Sequence, residues 1–154
     1  MEGGYRIHGV KTWATFAGRA VGLMQAAFEA GLGYARARAV FGHPVAAYQL
    51  STAKLTRMAA LIQAGRQFSY AVARRLGRGE GTLQASMVKA YVCRAAEWVT
   101  REAMQLHGGM GYAEEFPVSR YFVDARVLSI FEGADETLCL RVIARRLAEN
   151  TLAS

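Results

Sequence analysis

Two cysteines, two prolines and only three lysines occur among 154 residues, and no apolar run approaches the length of a membrane span. A bilayer crossing needs roughly 20 consecutive apolar residues, so no membrane span is expected. The opening MEGGYRIHG lacks the positive-then-apolar pattern of a signal peptide, which points to a cytoplasmic protein. Cys93 and Cys139 fall in helix-like segments without metal-ligand spacing. They are expected to be small buried residues of an intracellular protein, ahead of a disulfide or a metal site. His8, His43 and His107 are far apart, and none has an acid or cysteine nearby in sequence, so neither a Ser-His-Asp triad nor a metal centre is indicated.

What is abundant is apolar surface and arginine. Hydrophobic residues make up 53% and charged residues 20%, the balance of a globular chain. At this length one domain is expected, burying ~70% of its unfolded surface. The net charge of +7 comes almost wholly from sixteen arginines. It permits an anionic cofactor or substrate as readily as nucleic acid, or a merely solvated surface. Scattered arginines do not make a nucleic-acid interface, and no nucleic-acid partner is expected.

Apolar residues at helical spacing mark four stretches and a fifth at the end. The first runs from about Gly18 to Val40, with Val21, Met24, Phe28, Gly31 and Ala35 on one face, and FGHP stops it. The second runs from about Val45 to Leu76 and ends in GRGEG. The third runs from Thr82 to Leu106, with Val88, Val92, Ala95, Val99 and Ala103 in register, and HGGMG breaks it. A shorter stretch near Val118 to Val127 follows Pro117, and the last helix runs from about Ala134 to Ala148. Long helices joined by glycine-containing turns predict an all-α fold, an antiparallel four-helix bundle. Residues 1–17 differ: GYRIHGVKTW alternates like a strand. The expected organisation is therefore a strand-like segment over 1–17 and a helical domain over 18–154.

Few residues carry obvious chemistry. HGGMG, from His107 to Gly111, lacks P-loop and dinucleotide spacing, and reads as a helix-ending turn. Arg36 and Arg38 suit either a phosphate or the negative end of a helix. Arg74, Arg75 and Arg78 read as a solvated face, and Glu114 and Glu115 as a polar loop. Glu132 stands out in SIFEGADETL. An acid beside Ile130 and Phe131 is expected to be desolvated, which raises its pKa and suits it to take a proton. The other reading is that Glu132 caps the final helix.

Four strings, in order, resemble the acyl-CoA dehydrogenase family: YARARAVFGHPVAAYQ (34–49), QLHGGMGY (105–112), FPVSRYFVDARV (116–127) and IFEGADE (130–136). The similarity runs from Gly18 nearly to the end, over that family's C-terminal helical domain. It implies an FAD-dependent oxidoreductase acting on an acyl-CoA thioester, with an electron-transferring flavoprotein as acceptor and a homo-oligomeric assembly. By the same resemblance Glu132 is the catalytic base, and Phe131, Glu132 and Gly133 face the substrate. Arg38, Phe41, Gln49, Gln105, Gly109 and Glu136 match the family's cofactor-binding positions. The family often places threonine two residues after the base, with its hydroxyl toward the flavin; here that residue is Ala134. EGADETLCLRVIARRL with GYRIHGVKTWATFAG is most similar to the methylsuccinyl-CoA dehydrogenase branch, which implies a branched dicarboxylic substrate.

The opening GGYRIHGVKTWATFAG resembles part of the family's middle β-domain, joined directly to the helices. The expectation is a chain without the N-terminal domain and most of the β-domain, supplying the base and about one wall of the site, and not dehydrogenating alone. Two other roles compete with catalysis: a non-catalytic oligomerisation bundle, and a subunit of a split enzyme.

Overall fold

A computed structural model describes residues 14–152, with side chains from 16 to 149. The strand-like segment expected over 1–17 lies, for its first thirteen residues, outside those described. Residues 14–17 are helical: α1 spans Ala14–Ala37 and starts four residues before the expected Gly18. Burial explains the difference, because Phe16 and Ala17 are both in the core.

The other long helices are α2, Gln49–Leu76, and α3, Thr82–His107. They are followed by α4, Val118–Leu128. The final helix, α5 over 135–152, is α-helical at Asp135–Thr137, π-helical at Leu138–Ile143, and α-helical again at Ala144–Leu152. Helix α3 packs against α1, α2, α4 and the π-helical turn of α5, so it is the central element. Its buried residues therefore wrap much of its circumference: Ala85, Val88, Val92, Ala96, Val99 and Ala103, but also Lys89, Thr100 and Glu102. Facing it are Ala20, Met24 and Ala27 of α1, and Met58, Ile62 and Val72 of α2. Each such large aliphatic side chain contributes ~1.5–3 kcal/mol by leaving water.

The junction between α1 and α2 departs from expectation. Helix α1 stops at Ala37, and a small hairpin follows: β1, Ala39–Val40, pairs antiparallel with β2, His43–Pro44. Its two turn residues, Phe41 and Gly42, both have positive φ, 49° and 85°. That matches the turn whose twist suits a two-residue hairpin. Val45–Ala47 then forms one 3-10 turn before α2 begins. Tyr48 Oη donates to the Val40 carbonyl at 2.5 Å, tying the hairpin to the start of α2.

Of the two cysteines, Cys93 is buried as expected and Cys139 is exposed, contrary to expectation. The π-helical turn puts Leu138 into the core and leaves Cys139 and Leu140 outside. Among the described residues no helix is long and apolar enough to cross a membrane.

Candidate functional site

The loop from Ser129 to Ala134 connects α4 to α5 and carries Glu132. The amides of Ile130 and Phe131 donate to the Val127 carbonyl at 3.1 and 3.0 Å, closing the end of α4. Glu132 then takes φ 47° and Gly133 φ 99°. A left-handed backbone at a residue with a Cβ is uncommon, and such positions cluster at functional sites. The Asp135 amide donates to the Ser129 carbonyl at 3.1 Å and completes the loop.

Helix α3 supports this loop from within. Lys89 Nζ donates to the Gly133 carbonyl, and Ser129 Oγ donates to Glu97 Oε1. Arg126 Nη1 reaches Glu97 Oε1 at 3.0 Å. Arg94 Nε lies 2.5 Å from Asp135 Oδ2, and Glu136 Oε1 is 3.7 Å from Arg94 Nη2. Lys89, Arg94, Glu97, Ser129 and Asp135 are not among the candidate residues of the sequence. One signal was available: Lys89 falls in the apolar register of α3, between Val88 and Val92, where a lysine must find a partner or leave the core.

The desolvated acid is Asp135, three residues beyond the one expected. Asp135 is 4% exposed, whereas Ile130 and Phe131 are 49% and 56% exposed and Glu132 is exposed with them. Burial pushes the Asp135 carboxyl above its ordinary value, against the downward pull of Arg94 and Lys89. Burial likewise pushes the neighbouring Cys93 thiol up to about 11. The N-cap position of α5 is occupied by Ala134, two residues beyond Glu132. Glu132 thus sits exposed on a loop that Gly133, Ser129 and Asp135 anchor to α3.

A second region gathers residues from three separated strings. Arg38, Gln105 and Gly109 line one cleft of about 340 Å³, with Tyr34, Val40 and Met110. Arg38 is placed by the end of α1 and the hairpin: its amide donates to Tyr34 at 2.8 Å, and its carbonyl accepts from Val45 at 2.8 Å. His107 forms the floor, buried, with Nδ1 2.8 Å from the Ala103 carbonyl and its ring stacked on Tyr34 at 4.3 Å. Phe41, 95% exposed, caps the hairpin next to Arg38. The other two expected cofactor positions lie apart, Gln49 in a groove with Thr52 and Arg57, and Glu136 beside Arg94.

An anion entering the cleft would meet a guanidinium and no opposing charge. Arg38 is exposed and no carboxylate lines the cleft. A Cβ at Gly109 would meet nothing within 4 Å, so the chain's own packing does not require glycine there. Gly111 is different, because its Cβ would lie 2.3 Å from the Met104 carbonyl oxygen. A neighbouring cleft of about 510 Å³ shares Gln105 and holds Lys54, Arg101 and Glu102. Burial raises the Glu102 pKa, but hydrogen bonds from Lys54 and Arg101 outweigh it and bring the carboxyl below its usual value.

The chain is similar to known proteins over most of its length. The family model described as acyl-CoA dehydrogenase, C-terminal domain, matches residues 13–148. A (2S)-methylsuccinyl-CoA dehydrogenase from Cereibacter sphaeroides is 41% identical over 134 residues, 86% of this chain and 24% of that protein. The solved butyryl-CoA dehydrogenase from Megasphaera elsdenii superposes with a TM-score of 0.85 at 34% identity, over 88% of this chain and 36% of that one. A structure described as the electron transferring flavoprotein of Acidaminococcus fermentans has the same TM-score, 0.85, at 29% identity, with 88% and 36% covered. The chain therefore spans between 24% and 36% of the length of these proteins.

Proposed function

Because the chain belongs to the acyl-CoA dehydrogenase family, matching its C-terminal domain over residues 13–148, we infer that it forms the base-bearing wall of a flavin-dependent dehydrogenase site. One observation carries this reading. Glu132 stands exposed and left-handed at the crest of a loop anchored from below by Lys89, Glu97 and Arg94.

Glu132 is the proposed base. Its carboxylate takes the α-proton of an acyl-CoA thioester as a double bond forms between the α and β carbons. Its backbone N–H donates to the thioester carbonyl, which gains negative charge as the proton leaves. Bound FAD supplies the acceptor for the hydride lost from the β-carbon. Arg38 would pair with the cofactor's pyrophosphate, and Gln105 with the open backbone at Gly109 would admit its adenosine half, a reading supported by the one cleft that all three residues line. Exposed Ile130 and Phe131 leave the desolvation of Glu132 to whatever covers this face.

The 41% identity to a (2S)-methylsuccinyl-CoA dehydrogenase supports a branched dicarboxylic acyl group in the substrate. The likeness to the A. fermentans structure supports an electron-transferring flavoprotein as the onward acceptor. A second reading, a bundle that associates without catalysing, draws on the exposed Phe41, Leu50 and Tyr112. Apolar surface of that kind marks contact faces, and supports a homo-oligomer under either reading.

The test is a visible spectrum of the chain after incubation with FAD and desalting, followed by addition of an acyl-CoA. A retained flavin band that bleaches with substrate, and bleaches about 10²–10⁴-fold more slowly in Glu132→Gln, is the expected result. Bleaching unchanged in Glu132→Gln would exclude Glu132 as the base. A colourless chain would favour the association reading.

A further inference from the structure

One of only three lysines in the sequence, Lys89, is 0% exposed in the first third of α3. Its immediate neighbours on the buried face are Ala85, Val88, Val92 and Cys93. An ammonium in such a setting is costly, and filling the space alone would be better done by methionine or leucine. Its Nζ is instead directed at one backbone atom, the Gly133 carbonyl oxygen. That carbonyl follows directly on the two consecutive left-handed residues, Glu132 and Gly133. Asp135, the buried acid on the far side of the same loop, pairs instead with Arg94.

The orientation of the Gly133 carbonyl sets the path of the chain on either side of it. A left-handed backbone is disfavoured at any residue with a Cβ, so the loop at Glu132 needs an outside constraint to stay as it is. We propose that Lys89 is a positioning residue for Glu132: its hydrogen bond to the Gly133 carbonyl holds the left-handed turn that presents the Glu132 carboxylate and N–H at the loop's crest. The proposal rests on the reading of Glu132 as the base, and Lys89 itself touches no substrate.

A double-mutant cycle in the unfolding equilibrium of the chain tests this without any ligand. Glu132→Gly and Glu132→Ala both remove the carboxylate, and differ in their tolerance of positive φ. With Lys89 present, the glycine variant is expected to have a folding constant about fivefold above the alanine variant, because only glycine adopts this φ without strain. With Lys89→Met the loop relaxes, and the glycine advantage falls below about twofold. Lys89→Gln, which keeps a donor but is too short to reach, gives the same collapse and serves if the methionine variant does not fold. A lysine that merely stabilises the bundle would lower all variants equally, so an undiminished glycine advantage overturns the proposal.

An undiminished advantage alongside Glu132-dependent bleaching removes the role of Lys89 and leaves the base in place. A collapsed advantage alongside bleaching that ignores Glu132→Gln keeps Lys89 as the clamp of this turn and removes the base.

Discussion

Arg94 Nε of α3 lies 2.5 Å from Oδ2 of Asp135, the first residue of α5. The contact ties the central helix to the start of the last one, and its acid is buried while its base is half exposed. This asymmetry is why burial outweighs the neighbouring cations and the Asp135 pKa rises.

The pH dependence follows from the direction of that shift. A carboxyl raised above 3.8 by folding binds its proton more tightly in the native state, so its contribution to stability is fully present below pH 3.8 and is lost as pH rises through the native pKa. Asp135→Asn does not titrate. Its stability relative to the parent chain is therefore expected to improve from pH 3.5 toward neutrality and then level off. Thermal unfolding of both chains across that range measures the difference, and Arg94→Met should widen it by removing the main opposing charge. A variant that loses ground as pH rises would show the shift to run the other way.

The two thiols differ in burial, and should differ in reactivity. Cys93 is buried, its thiol pushed up to about 11, and Cys139 is exposed. Since the thiolate is the reactive form, an aromatic disulfide reagent at pH 8 should titrate one thiol quickly in the native chain. The second should appear only with denaturant. Cys139→Ser is expected to abolish the fast phase; two fast thiols would contradict the burial of Cys93.

Two glycines of the same turn should respond in opposite ways. Gly111→Ala places a Cβ 2.3 Å from the Met104 carbonyl oxygen, and should cost ~1–3 kcal/mol, as overpacking against fixed neighbours does. Gly109→Ala meets nothing within 4 Å, and should stay within about 0.5 kcal/mol of the parent. Under the proposed function the Gly109 variant should still retain less FAD after desalting. Equal unfolding midpoints for the two variants would contradict the packing at Gly111.

Much of the architecture was readable because helical periodicity is local. The stripes through Val21 and Met24, and Val88 to Ala103, are buried as the spacing predicts. The ends were less readable. Phe16 falls in the segment expected to be strand-like, yet it extends α1, and FGHP, expected only to stop a helix, takes part in a hairpin. In both places the deciding contacts are with residues distant in sequence or within a turn whose φ values leave little compositional trace.

The site divides along the same line. The order of residues alone placed Glu132 after an apolar run and before a glycine, and put Arg38, Gln105 and Gly109 in separate strings that matched one family. The sequence thereby determined the fold class, the family and the likeness of its motifs. Only the tertiary structure decided which acid is buried and which is presented. Burial is a property of all the surfaces that close around a side chain. Those surfaces come from α3, some 40 residues away, whose Lys89 and Arg94 draw Gly133 and Asp135 inward and leave Glu132 outside.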